Sequence, residues 1–341
     1  MSQRRERDGR RVGGRVTIYD VARAAGVSSG TVSRVLNGGT ASTGAREAVE
    51  RAVTVTGYVP HQQARRLAGA RTDAVAFLHC VSSERLFDDP NVNGLLLACH
   101  NALAEHDLLM VTPIGADGPA EIVMRRLAAQ IFDPILLFGA SAGSPLVADL
   151  VDRQMPVVAC GVPLGHERHV SYVATDDRDG ARQIVAYLRS RGRRRIATIA
   201  GPMQLPGGVQ RLAGYQDAIG GDFDPALVTH GDYTYASGAA ATARLLRQAP
   251  DLDAIFVASD MMAAGALATL QPAGRRVPDE VAVVGYDDAP IATSTQPQLT
   301  TVRIPWQRYP GQLTRHLWHR MDGDDPSGII MPVELIIRGS A

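Results

Sequence analysis

The sequence contains no lysine: all 35 of its basic residues are arginine, which points to GC-rich coding rather than to chemistry. Cysteine is nearly absent too. Cys80, Cys99 and Cys160 are odd in number and lack C-x-x-C spacing, so they are expected as reduced, buried, inert thiols of a cytosolic protein. No apolar run approaches the ~18 residues of a membrane-spanning helix. Residues 1–15 are rich in Arg and Gly without the apolar centre of a secretory signal, and read as a basic, disordered arm. No Walker A loop and no G-x-G-x-x-G occurs. A soluble cytoplasmic protein is expected, with no membrane partner, no cofactor and no metal.

The chain has 341 residues, 45% hydrophobic and 21% charged, enough for about two or three ordinary domains. Its formal charge of zero conceals an uneven distribution. Residues 1–72 hold 13 Arg against 5 acidic residues (+8), and residues 73–341 hold 22 Arg against 30 (−8). A basic head on an acidic body suggests that the head meets a polyanion, from which the body is repelled.

In the head, Thr17-Ile18-Tyr19-Asp20 has the [ST]-x-x-[DE] form of a helix start. Ile18, Val21, Ala22 and Ala25 fall on one face at helical spacing, and Gly26 suits a left-handed stop. Ser28 caps a second helix with Val32, Val35 and Leu36 inward, halted by Asn37-Gly38-Gly39. A third begins after Ser42, turns Val49, Ala52 and Val53 inward and ends at Gly57. Two short helices around a tight turn, braced by a third, make a helix-turn-helix unit. A small bundle without a ligand is the alternative; the positive charge and the hydroxyls and Arg34 outside the inward face favour DNA.

Thr17 to Ala22 and Val27 to Asn37, followed by Gly57-Tyr58-Val59-Pro60 and Ala64-Arg65-Arg66-Leu67, closely resemble the DNA-binding head and hinge of the lactose-repressor (LacI/GalR) family. The resemblance continues to the C-terminus. It implies an all-α helix-turn-helix head joined to a bilobed, periplasmic-binding-protein-like α/β effector domain of two doubly wound parallel sheets. The implied DNA contacts are Thr17, Tyr19, Ser28, Ser29, Thr31, Ser33, Arg34, Asn37 and Arg46, with Ala64, Arg65, Leu67 and Ala68 from the hinge. Positions matching Ser29 and Gly30 carry much of that family's major-groove specificity, yet Gly30 has no side chain to read with. Specificity is therefore expected to lean on the hinge, where Leu67 would wedge into a central base step and read its deformability; simple packing is the other reading of Leu67.

Beyond residue 73, short apolar runs (74–78, 108–111, 134–138, 156–160, then 196–200, 254–258, 281–284) alternate with helical stretches. Two such series imply two lobes with a ligand cleft at the strands' carboxyl ends. The resulting division is an arm at 1–15, a DNA-binding domain at 16–60, a hinge at 61–72 and an effector domain at 73–341. Within the last, the N-lobe would comprise 73–173 and 303–327, and the C-lobe 174–302 and 328–341, with crossings near 173–175, 300–304 and 327–329. By resemblance, effector contacts fall on Asp176, Arg211 of Arg211-Leu212-Ala213-Gly214-Tyr215, Ser259 and Asp260 where the family has Asn-Asp, and Asp287 of Gly285-Tyr286-Asp287-Asp288. Trp306 reads as a stacking platform or as core. For Arg211 and Asp287, a cross-cleft ion pair is the structural alternative.

Gly139-Ala140-Ser141-Ala142-Gly143 has the G-x-S-x-G form of a nucleophile elbow, but no later His has the context of a partner. His166-Glu167-Arg168-His169 is one residue short of H-E-x-x-H, and the Arg-rich run 189–195 reads as a solvated helix end. A serine hydrolase and a sugar-binding protein without a DNA role are thus the rival readings. The favoured one is a homodimeric regulator, a repressor, that grips a pseudo-palindromic operator in double-stranded DNA under control of a small-molecule effector, a sugar or related metabolite. No heptad tail follows Ala341, which favours a dimer over a tetramer.

Overall fold

A computed structural model describes residues 16–36, 39–58, 74–80, 89–113 and 134–341. The chain divides into two compact units, Met1–Thr72 and Asp73–Ala341.

The first unit is three helices, α1 (Ile18–Ala25), α2 (Ser29–Leu36) and α3 (Thr43–Thr56). Their shared core is small: Val21, Val32 and Val49 are completely buried, joined by Ala22, Val35 and Ala52, with Ile18, Ala25, Leu36 and Val53 packed partly against them. At roughly 1.5–3 kcal/mol per fully buried Val, so small a core leans on its helix ends. The Asp20 carboxylate accepts from the Thr17 amide (2.9 Å) and hydroxyl (2.7 Å). Ser28 Oγ accepts from the Thr31 amide (3.1 Å) and Ser42 Oγ from the Ala45 amide (3.3 Å). Such caps are worth about 1 kcal/mol each. Gly26 (φ 67°) and Gly57 (φ 65°) close α1 and α3 in the left-handed conformation, which L side chains adopt at a cost.

In the second unit the strands are β1 (Ala74–His79), β2 (Leu109–Val111), β3 (Ile135–Phe138), β4 (Val157–Cys160), β5 (Ser171–Thr175), β6 (Ile196–Ala200), β7 (Val228–His230), β8 (Ala254–Val257), β9 (Ala282–Val284), β10 (Thr301–Arg303), β11 (Gly328–Met331) and β12 (Glu334–Ile336). Between them run α4 (Pro90–Ala104), α5 (Pro145–Asp152), α6 (Asp177–Ser190), α7 (Pro206–Ile219), α8 (Tyr235–Gln248), α9 (Asp260–Leu270), α10 (Ile291–Ser294) and α11 (Tyr309–Met321). One parallel sheet has the order β11-β5-β4-β3-β1-β2, a second β7-β6-β8-β9, and β10 and β12 form an antiparallel ribbon. Nearly every residue of β1, β3, β4, β6, β8 and β9 is buried, as expected of strands covered on both faces.

Two boundaries differ from the expected division. Strand β11 lies beside β5 in register, Gly328 opposite Tyr172 and Met331 opposite Thr175. Residues 174–175 and 328–331 therefore belong to the N-lobe sheet, and the last crossing follows Met331 rather than falling at 327–329. Cys80 is half-buried rather than buried; Cys99 and Cys160 are buried, and burial pushes the Cys99 thiol up to about 12. The run at 189–195 is not merely solvated. Arg189 meets Asp222 (2.8 Å), Arg195 meets Asp251 (2.7 Å), and Arg193 donates to the Pro278 carbonyl (2.5 Å).

Candidate effector cleft and DNA-binding head

Loops at the carboxyl ends of both sheets meet at a cavity of about 170 Å³. Arg211, in the first half of α7, is its centre. Desolvation disfavours a buried guanidinium, and the protein answers with three acceptors and a ring. Nη1 donates to the Ala258 carbonyl (2.7 Å) and Asp287 Oδ1 (3.0 Å), Nε to Asp177 Oδ1 (3.3 Å), and the guanidinium lies 3.7 Å from the centre of the Tyr286 ring. Burial pushes the Asp287 carboxyl up, and Arg211 opposes that rise. Asp287 has φ 110°, as does no ordinary strand residue; strain of this kind gathers where a site needs a fixed geometry.

The remaining lining is apolar or aromatic with a few polar ends. Phe138, Tyr233, Trp306 and Tyr309 supply rings; Asn91, Gln210 and Ser259 supply hydrogen-bonding groups. Trp306 stands 5.5 Å from Tyr309, ring centre to ring centre, and its buried Nε1 has no hydrogen-bond partner. It is thus cavity wall as well as packing. Tyr309 is anchored by its hydroxyl, which donates to the Val173 carbonyl (2.5 Å). An apolar cavity with a few aimed polar groups is the usual form of a small-molecule site.

Among the residues expected here, Arg211, Ser259, Asp287 and Trp306 all line the cavity. Asp176 and Asp260 do not. Asp176 caps α6, accepting from the Asp179 amide (3.0 Å), and the next residue, Asp177, faces the cleft instead. Asp260 is completely buried; its two oxygens accept from the Thr301 hydroxyl (2.6 Å) and the Ala289 amide (2.8 Å). It ties α9 to the loop carrying Asp287, and burial raises its carboxyl to about 7. Ser259 Oγ accepts from the Met262 amide (3.3 Å), so it caps α9 while lining the cavity. The Arg211–Asp287 ion pair weighed from sequence exists, but both partners lie on the C-lobe side; Asp287's own cross-cleft contact is with Asn91 of α4, whose Nδ2 donates to Asp287 Oδ2 (3.3 Å). Asn91, Asp177, Gln210 and Tyr233 escaped sequence reasoning. Tyr233 follows β7 at its carboxyl end, a position that could have been flagged.

Gly139–Gly143 sits at the rim. The Ser144 amide donates to the Ser141 carbonyl (3.1 Å) around Gly143 at φ 72°, a β-turn. From that turn the Ala142 amide donates across the cleft to the Gln204 carbonyl (3.1 Å). His166–His169 forms successive turns rather than a helix face.

In the head, Thr17, Tyr19, Ser28 and Arg34 are exposed, and Ser29, Thr31, Ser33 and Arg46 are half-buried. Ser28 and Thr31 join their hydroxyls (2.9 Å), and Arg46 Nη2 donates to the Gly39 carbonyl (3.1 Å), bracing the chain between α2 and α3. A Cβ at Gly30 would meet only Ser28 Oγ, at 3.8 Å; neither packing nor backbone conformation requires glycine there. Asn37, Ala64, Arg65, Leu67 and Ala68 lie outside the described residues.

Comparison with known proteins gives a consistent result. Residues 17–61 match the profile of bacterial regulatory proteins of the lacI family, and residues 185–341 a periplasmic binding protein-like domain. The chain is 42% identical over 334 residues to the HTH-type transcriptional regulator CelR of Thermobifida fusca, covering 96% of this chain and 98% of that protein. It is 30% identical to the transcriptional repressor CytR of Escherichia coli K12, covering 95% and 96%. Among solved structures, a CelR–cellobiose complex superposes with a TM-score of 0.76 at 41% identity, covering 96% of this chain and all of that one. The lac repressor dimer bound to operator and the anti-inducer ONPF gives 0.81 at 26% identity, covering 96% and 99%.

Proposed function

This chain belongs to the lacI family of bacterial regulatory proteins, and we propose that it is a dimeric repressor released from a pseudo-palindromic operator by a saccharide bound in the cleft. The observation that carries the effector half is the convergence of a held guanidinium, amide and carboxylate groups on a ring-walled cavity. Flat rings suit the C–H faces of a pyranose, and fixed hydrogen-bonding groups suit its hydroxyls. The cellobiose held by the CelR relative makes a β-linked glucose disaccharide the first candidate.

Coupling works by population shift: a ligand that bridges the lobes favours their closed arrangement by its differential affinity. The segment 61–72 is the natural receiver, since a helix of ~10 residues is marginal on its own. Leu67 within it would serve the central base step. In the major groove, α2 presents Ser29, Thr31, Ser33 and Arg34, and arginine–phosphate contacts make binding steeply salt-dependent. The test is fluorescence anisotropy of the full chain on pseudo-palindromic fragments from its own genome, with and without cellobiose and a panel of other neutral saccharides. Release by one of them is expected. Absence of any preferred fragment would overturn the repressor reading, and a preferred fragment indifferent to every saccharide would overturn the effector reading.

A further inference from the structure

The cleft gathers helix N-termini, the usual anion-binding places of an α/β protein. Four of them, those of α4, α6, α7 and α9, are already supplied with a carboxylate of the chain, while α11, opening at Tyr309, is not. Asp89 caps α4, accepting from the Asn91 amide (2.9 Å). Asp176 caps α6. At the start of α7, Asp177 Oδ2 lies 3.6 Å from where a Cβ of Gly207 would stand. Asp260 opens α9, behind the Ser259 cap. Arg211 is the one cation among the described lining residues, and it is paired: Nε with Asp177, Nη1 with Asp287 and the Ala258 carbonyl. Asp89, Asp177 and Asp287 all line the cavity. These three carboxyl side chains outnumber the single guanidinium among the described lining residues.

We propose that this arrangement is a charge filter: the cleft accepts the uncharged saccharide and rejects its phosphorylated or carboxylated forms. Among the described lining residues an entering phosphate meets a single cation, already paired with two carboxylates, and it approaches fixed carboxylates where water screens them poorly. Hydroxyl groups meet no such barrier, because they donate to those same carboxylates. The inference rests on the saccharide reading above and specifies which chemical form of the sugar is sensed.

The test is isothermal titration of the full chain with cellobiose, cellobiose 6-phosphate and cellobionate, repeated on Asp177→Asn and Asp89→Asn. Asn retains capping ability, and melting curves check that each variant folds. Wild type should bind cellobiose at least ~100-fold more tightly than either anion, and the variants should narrow that ratio about tenfold or more by gaining affinity for the anions. Comparable binding of neutral and anionic forms to wild type overturns the filter while leaving the saccharide reading intact. An unchanged ratio in whichever folded variants are obtained also overturns it, because size rather than charge then sets the preference. Binding of none of the three, with no neutral saccharide releasing DNA, overturns the saccharide reading and the filter with it.

Discussion

The recognition surface of the head and the lining of the cleft are built on opposite principles. In the head, structure and function separate in part: buried Val21, Val32 and Val49 and the cap at Ser42 make the fold, Tyr19 and Arg34, proposed to meet DNA, project outward, and Thr17, Ser28, Thr31 and Arg46 take part in both. In the cleft they share atoms. Arg211, Asp177 and Asp287 line the cavity and also join α6, α7 and the loop after β9. The head can therefore exchange reading residues at little expense to its fold, whereas the sensor cannot change its central polar groups without disturbing the scaffold.

The largest test of that contrast is Arg211→Met. It strands the buried carboxylate of Asp287 and the partly buried one of Asp177, so the second unit should lose about 3–5 kcal/mol along with ligand binding; denaturant unfolding at neutral pH checks this. Loss of binding at unchanged stability would break the comparison. Asp260 gives a pH signature of nearly that size. Its carboxyl is near 7 when folded and 3.8 ordinarily, so the native state holds a proton that the unfolded state has released. This contribution to stability is fully present below pH ~4 and is lost as pH rises to ~7, a fall of about 3–4 kcal/mol. Asp260→Asn, which can donate to Thr301 and accept from Ala289, should flatten that stretch of the stability–pH curve. Gly214→Ala comes next: its Cβ would stand 2.1 Å from the Arg178 carbonyl, and overpacking of α6 against α7 should cost about 1–3 kcal/mol, read as a lower melting point. In the head the effect should be smallest and reversed. Gly30→Ala should stabilise α2 by about 0.5–1 kcal/mol, seen in the head's own thermal transition. Arg34→Ala should leave stability within about 0.5 kcal/mol while weakening operator binding and reducing its salt slope by about 1.

The same contrast explains what the sequence made legible. Head features are local: caps sit three residues from their partners, and Gly26 and Gly57 mark the ends they close. In the body, strand–helix alternation and the motifs around Arg211 and Asp287 led to the lobes and to two cleft residues. Asp176 and Asp177 are indistinguishable on paper, since either can start a helix; only the backbone's course decides which caps and which faces inward. Asp260 reads as a ligand by resemblance, where the family has Asn-Asp, and nothing nearby in the sequence announces Thr301, its partner 41 residues away. The pairing of β11 with β5 spans more than 150 residues, beyond any local pattern, and it moved the lobe boundary. Tyr233, at φ 72°, occupies a conformation that no sequence motif near it demands.

The amide of Ala142 meeting the carbonyl of Gln204 turns the cleft's rim into a timer. That contact, with Asn91 to Asp287 beside it, opposes the parting of the loops through which a molecule held inside would leave. Under the proposed release of operator by sugar, a regulator with such a clasp would answer to the history of its sugar as well as to its present concentration, its genes staying open for one residence time after supply stops.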